Sequence, residues 1–230
     1  LADLADETSL VSIQGAKAFE TVAVTFGEAF AIPERGAVTS VDWKGKQVTA
    51  IRATHTGEDG FDLFVDAADA EALRDLFIKA GAQPIGPDTI ETLRIEAGIA
   101  RHGIDMDETN VVTEANLDEA VSFTKGCYIG QEIIARIKYR GHVAKKLAGL
   151  ILETEGALEG GAKILSSDDK EIGRVTSSAF SPRLNRMIAL GYVKYDYLAP
   201  GTRVKVSQGE SEIGGEVVEL PFIRGSWYAD

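Results

Sequence analysis

Cysteine is almost absent from this chain: Cys127 is the only one among 230 residues. A single thiol excludes an internal disulfide framework and cannot alone complete a four-ligand metal or cluster site. It leaves the roles of nucleophile, redox sensor, one shared ligand or plain buried small residue. Long apolar runs are missing too, since no stretch reaches the roughly 18 residues a membrane-spanning helix needs. Leu1 opens no basic-then-apolar signal pattern, so no membrane association is expected, and the low cysteine use fits a reducing, cytoplasmic compartment. Positive charge is short: 24 Lys and Arg stand against 36 Asp and Glu, a net charge of -12. That balance argues against broad adhesion to nucleic acid, direct tRNA binding included. Histidine is scarce, and His55, His102 and His142 show no metal-ligand spacing with one another or with Cys127, so no stably bound metal is expected. No glycine-rich nucleotide loop follows a strand, and no catalytic triad can be picked out.

What is present supports real cores, because 44% of the residues are hydrophobic and the length suits one large or two modest domains. Val11–Ile13 alternates as a strand, Gly15 breaks it, and Ala16–Val24 can form a helix. Gly36–Gly45 has turn chemistry. Gln47–Thr54 and Phe61–Val65 read as strands that pair as a hairpin across the tight turn Gly57–Gly60. Leu73, Leu76, Phe77 and Ala80 fall at helical spacing, with Asp69 as N-cap and Gly81 as stop. This order predicts a split, ferredoxin-like αβ subdomain with helices on one face of an antiparallel sheet. A further helix is expected from Asp88 to Gly98. The polar segment Arg101–Glu119 lacks periodicity and reads either as a functional loop or as a segment packed against another domain. From Val143 onward, short alternating runs punctuated by Gly160-Gly161, Pro200-Gly201 and Gly214-Gly215 predict a small antiparallel barrel or sandwich. The domains are therefore expected to be 1–141 and 142–230.

Two clusters carry candidate chemistry. In Lys125-Gly126-Cys127-Tyr128-Ile129-Gly130-Gln131-Glu132 the lone thiol lies just before a helix expected over Gln131–Arg140. A helix N-terminus and Lys125 both favour the thiolate, and Tyr128 either stacks on a ligand or packs. From Lys125 to Lys146, Lys125, Arg136, Lys138, Arg140, Lys145 and Lys146 oppose only Glu132, so this stretch reverses the sign of the chain. It can meet an anionic ligand tail, although a solvated charged face is the commoner meaning of such a run. The second cluster is Thr56-Gly57-Glu58-Asp59-Gly60-Phe61-Asp62. Its carboxylates can accept paired hydrogen bonds from a guanidine-like ring edge such as that of a pterin, while acidic hairpin turns are commonplace.

The run from Lys125 to Glu132, followed by Ala135-Arg136, resembles the signature of the YgfZ family, within the superfamily of the glycine-cleavage T-protein. Supporting segments are Ile13-Gln14-Gly15, Leu93–Gly98, Glu114–Asp118, Ala189–Val193 and Pro200-Gly201-Thr202. The resemblance implies a T-protein-like α+β fold, αβ subdomains with a C-terminal β-barrel, and a tetrahydrofolate cofactor. It implies that Cys127 is a functional thiol and that Glu58, Asp62, Lys125, Tyr128, Gln131 and Arg136 contribute to the cofactor site. It also implies that about a hundred family residues precede Leu1, whose surroundings read like the middle of a protein. The function expected on this basis is a folate-binding accessory protein for iron–sulfur cluster assembly or repair. Its partners would be assembly or client proteins, including enzymes that modify tRNA. The alternative is a tetrahydrofolate-dependent aminomethyltransferase or demethylase. Asp62 stands where the T-protein has a folate-contacting glutamate, and Ile90 where it has an anion-binding arginine, and both departures weigh against a classical enzyme.

Overall fold

Alternation along Thr8–Gln14 builds β1, in which Val11 and Ile13 face a core and Ser12 and Gln14 face away from it. The computed structural model describes residues 3–27, 30, 34–154, 156, 158, 160–209 and 211–229. Two compact units result, Leu1–Leu93 with Ile223–Asp230, and Arg94–Phe222. The division falls inside a helix, so the segment from Arg94 to the barrel groups with the barrel.

In the first unit, α1 (Ala18–Phe26) follows β1, then β2 (Val38–Trp43), β3 (Lys46–Arg52), β4 (Gly60–Asp66) and α2 (Ala70–Lys79). The sheet is antiparallel throughout, in the order β1-β4-β3-β2. The expected hairpin is β3–β4. A strand, β2, occupies most of the segment given to a turn, because Val41 and Trp43 are buried at every second position and only Lys44-Gly45, both at positive φ, turn the chain. Ala18 and Val22 of α1 and Leu73 and Phe77 of α2, each pair four residues apart, pack with Ile13, Phe61, Leu63 and Val65 on one face of the sheet. Asp69 precedes α2 as expected but makes no side-chain cap; its carboxylate instead takes the Lys46 ammonium at 2.5 Å.

In the second unit, β5 (Lys145–Leu152), β6 (Lys163–Ser166), β7 (Glu171–Ser181), β8 (Arg186–Lys194), β9 (Arg203–Gln208) and β10 (Ser211–Val218) close an antiparallel barrel in the order β10-β5-β8-β7-β6-β9. Leu150, Ile164, Ile172 and Val206 fill it, and Leu147, Ile188 and Leu190 cover the outside together with Ile95 of α3 (Pro87–Glu96). Gly214-Gly215 was expected to turn the chain and instead lies within β10. A Cβ on Gly214 would stand 2.5 Å from the Glu153 carboxylate, and one on Gly215 2.8 Å from the Ile151 carbonyl, so these glycines permit close approach.

The polar segment after α3 takes the second of its two expected roles, packing on the barrel. Glu114 C=O accepts from Leu147 N–H at 2.7 Å, and Asn116 Nδ2 donates to Leu147 C=O at 2.8 Å. Asp105, 2% exposed, is its anchor. Arg94 Nη1 donates to Asp105 at 2.5 Å and Arg94 Nη2 to Ser177 Oγ at 2.7 Å, while Asp105 also accepts from Arg101 N–H and from the hydroxyls of Thr176 and Ser177. Neighbouring residues of a regular strand point to opposite faces. Thr176 and Ser177 both reach Asp105 because the β7–β8 register shifts between Val175 and Ser177.

Candidate functional site

The helix-free face of the first sheet carries a polar stripe, and the register explains it. Ser12 lies opposite Asp62 and Gln14 opposite Gly60, on the face away from Ile13 and Phe61. Gly60 leaves room for the Gln14 amide, since a Cβ there would stand 2.4 Å from it and displace it. That amide donates to Ala53 C=O at 3.2 Å, and its oxygen accepts from His55 N–H at 2.9 Å, which ties the turn to β1.

Within the turn each acidic side chain has a separate task. Asp59 receives the Arg52 guanidinium as a fork, Nε at 2.9 Å and Nη2 at 2.6 Å, a two-point contact that fixes the base of the turn. Asp62 is 9% exposed, and His55 Nε2 lies 2.8 and 3.0 Å from its two oxygens. Burial by itself would raise the Asp62 carboxyl, but hydrogen bonds from His55 and Ser12 and the charge of His55 outweigh it and hold the carboxyl below its ordinary range. The same hydrogen bond to Asp62 raises the His55 imidazole, against an opposing effect of burial. Glu58 is gripped from the C-terminal segment: its Oε2 accepts from Ser226 N–H at 2.8 Å and from Ser226 Oγ at 2.6 Å. Ser226 Oγ in turn accepts from Asp59 N–H at 2.9 Å, and Trp227 N–H donates to Gly57 C=O at 3.1 Å. Gly225 makes the clasp possible, since a Cβ there would stand 2.4 Å from Gly57 C=O. Trp227 is half-buried, with the Arg35 guanidinium 5.4 Å from its ring centre.

The six residues expected to hold a cofactor, and the thiol, divide between the units. Glu58 and Asp62 lie together in the first, whereas Lys125, Cys127, Tyr128, Gln131 and Arg136 belong to the second. There α4 (Gln131–Arg140) forms as expected, with Gly130 left-handed at its N-cap, but none of its residues is buried and Ile133 is 58% exposed. Cys127 is exposed and accepts or donates no hydrogen bond among the described residues. The cations around it are largely engaged: Lys125 lies over the Tyr128 ring at 4.7 Å, Lys138 over Phe123 at 3.3 Å, and Arg136 pairs with Glu132 at 2.8 Å. Among the described residues, no three His, Cys, Asp or Glu side chains are grouped to hold a metal ion, and no helix is long and apolar enough to cross a membrane.

Sequence reasoning missed His55, Ser12, Gln14, Arg35, Ser226 and Trp227. Ser12 and Gln14 had a signal in the period-2 alternation of β1. Ser226 and Trp227 had none, standing about 170 residues from the turn they clasp.

With this geometry in place, the likeness to known proteins becomes specific. Residues 1–125 match the GCVT N-terminal domain and residues 145–223 the glycine cleavage T-protein C-terminal barrel domain. The chain belongs to the glycine cleavage T-protein family. It is 34% identical to an aminomethyltransferase of Saccharopolyspora erythraea over 227 residues, 96% of this chain and 62% of that protein. It is 36% identical to an aminomethyltransferase of Halothermothrix orenii over 184 residues, 78% of this chain and 51% of that protein. The crystal structure of glycine cleavage system aminomethyltransferase T from Bartonella henselae superposes with a TM-score of 0.82 at 25% identity, covering 94% of this chain and 60% of that one. The chain thus spans about three fifths of the length of the curated relatives it matches. The T-protein-like fold with its C-terminal barrel is as expected. The assignment to iron–sulfur cluster assembly, with its cluster-protein partners, is overturned, because the relatives matched over nearly the whole chain are named aminomethyltransferases. The expectation of a protein outside classical enzyme chemistry loses its support on the same finding.

Proposed function

We propose that the protein is a tetrahydrofolate-dependent aminomethyltransferase whose 54–62 turn contacts the pterin edge of the folate. The observation that carries this reading is Glu58. Ser226 occupies Oε2 with two hydrogen bonds, and Oε1 has no partner among the described residues. A half-buried carboxylate held rigid by one oxygen, with the other unpaired, suits a ligand that offers a fixed N–H edge. The residues therefore fit the group that family aminomethyltransferases use.

When bound, tetrahydrofolate supplies the nitrogen that accepts the one-carbon unit. The work of this chain in that reading is orientation. The Arg52–Asp59 fork and the Gln14 amide hold the turn, Ser226 aims Glu58, and Glu58 Oε1 takes the N–H of the ligand. Cys127 and Arg136 have no step in it. The test is calorimetric titration of the intact protein with tetrahydrofolate beside an assay of folate-dependent aminomethyl turnover. Saturable binding and turnover are expected, with affinity about tenfold weaker in Glu58→Gln because the amide offers N–H where the ligand does too. Binding without turnover would remove the transferase reading, and absence of binding would remove both.

A further inference from the structure

We propose that His55, held by Asp62, is a second ligand contact in this site: its Nδ1–H donates to a ring carbonyl of the heterocycle whose N–H edge meets Glu58. The inference rests on the folate reading above and adds a residue and a pH response that the reading does not contain. Asp62 is nearly buried, both of its oxygens lie within reach of His55 Nε2, and Ser12 adds a further hydrogen bond, so this carboxylate is held against the imidazole. Asp62 is then a positioning residue and His55 the group presented outward. The His55 side chain is 46% exposed, and its Nδ1 has no partner among the described residues. Its backbone is pinned by Gln14, so the ring has fixed supports at both ends.

The chemistry follows from the tautomer. A hydrogen bond from Nε2–H to an ionised Asp62 leaves Nδ1 as an acceptor in the neutral ring and as a donor in the imidazolium. Only the protonated ring complements a carbonyl oxygen; the neutral ring sets acceptor against acceptor. The charged groups on the elements that meet here are Asp62 on β4, Glu58 and Asp59 in the turn, and Arg52 at the end of β3, the last two paired with each other. Asp62, hydrogen-bonded to the ring and negatively charged, favours the imidazolium and raises the His55 pKa against an opposing effect of burial. A ligand offering adjacent carbonyl and N–H groups therefore meets a donor, His55, and an acceptor, Glu58, three residues apart on one turn.

The probe is 5-formyltetrahydrofolate, titrated into the intact protein by calorimetry from pH 5.5 to 8.5, with the imidazole signals of the histidines followed by NMR. Affinity should fall about tenfold or more as pH rises through the His55 titration, since a charge-assisted hydrogen bond is lost. Saturating ligand should raise the His55 midpoint and leave those of His102 and His142 in place. His55→Gln should bind with an affinity independent of pH, and Asp62→Asn should move the midpoint of the profile to lower pH. Saturable binding whose affinity does not change with pH in the unsubstituted protein, or a profile retained in His55→Gln, overturns the His55 role while leaving the folate reading intact. If no titration shows binding and no imidazole responds, the folate reading has failed and this inference falls with it.

Discussion

Asp105→Asn changes a carboxylate to its near-isosteric amide at the most interconnected polar point of the second unit. Asp105 is 2% exposed and Arg94 5%, so the substitution removes from the interior the carboxylate charge that Arg94 Nη1 meets at 2.5 Å. The amide also turns N–H groups toward the Ser177 and Thr176 hydroxyls or toward Arg101 N–H, wherever its nitrogen falls. Breaking one side of a buried pair of this kind costs about 3–5 kcal/mol, against about 0–1 kcal/mol for an exposed pair. With a urea dependence of about 2 kcal/mol per molar for a unit of this size, the unfolding midpoint should fall by roughly 1.5–2.5 M. Replacing both partners by apolar residues, Arg94→Met with Asp105→Leu, should recover most of that loss, because a buried pair replaced whole by apolar side chains costs far less than one broken on one side. Trp43 and Trp227 both belong to the first unit, so a probe within the second is the direct report. Amide hydrogen exchange across β7 and β8 is that probe. A midpoint shift for Asp105→Asn below about 0.5 M would show that the cluster behaves as a surface pair and would refute the reasoning.

Three further outcomes are expected. The His55–Asp62 pair should give a stability window in pH. The raised His55 contributes fully below its unfolded value near 6.5 and is lost as pH rises through its folded value, and the lowered Asp62 contributes fully above about 3.8 and is lost on acidification through its folded value. The difference in urea midpoint between the natural protein and His55→Gln should therefore be largest between about pH 4 and 6.5 and shrink on both sides; a difference constant with pH would contradict the pairing. Gly225→Ala should cost about 1–3 kcal/mol and loosen the Ser226–Glu58 clasp, because its Cβ would stand 2.4 Å from Gly57 C=O; thermal unfolding indistinguishable from the parent would show that the C-terminal segment does not hold the turn. Cys127, exposed and without a hydrogen-bonding partner among the described residues, should react fully with an aromatic disulfide reagent in the native state, and Cys127→Ser should change stability by no more than about 0.5 kcal/mol. A thiol that reacts only after denaturation would place it in a contact the structure lacks.

Much of the architecture was legible because it is written in short-range periodicity. Leu73 and Phe77 four apart announce α2, and alternation announces β1, β3 and β4. β2 escaped because glycines at its two ends read as turn signals, and β10 escaped because Gly214-Gly215 reads the same way whether glycine turns a chain or lets another strand approach. The candidate site was only half legible. Glu58 and Asp62 stand within one turn motif, but the motif does not say which carboxylate is spoken for. Arg52 takes Asp59 and His55 takes Asp62, both seven residues away, while Ser226 takes one oxygen of Glu58 from the far end of the chain. Around Cys127 local order announced α4 and its Gly130 start, whereas the relatedness that assigns the family is spread over the whole chain.

Sequence by itself determined most of the elements and the placing of a carboxylate-rich glycine turn, since each depends on residues within a few positions of one another. Tertiary structure alone decided what that turn can do. Pairing β1 with β4 puts Ser12 and Gln14 beside Asp62 and Gly60, and the return of the C-terminal segment to the first unit brings Ser226 and Trp227 to Glu58 and Gly57. A carboxylate is free for a ligand only when its neighbours leave a lone pair unclaimed, and those neighbours are set by strand pairing and chain return, which no local pattern encodes.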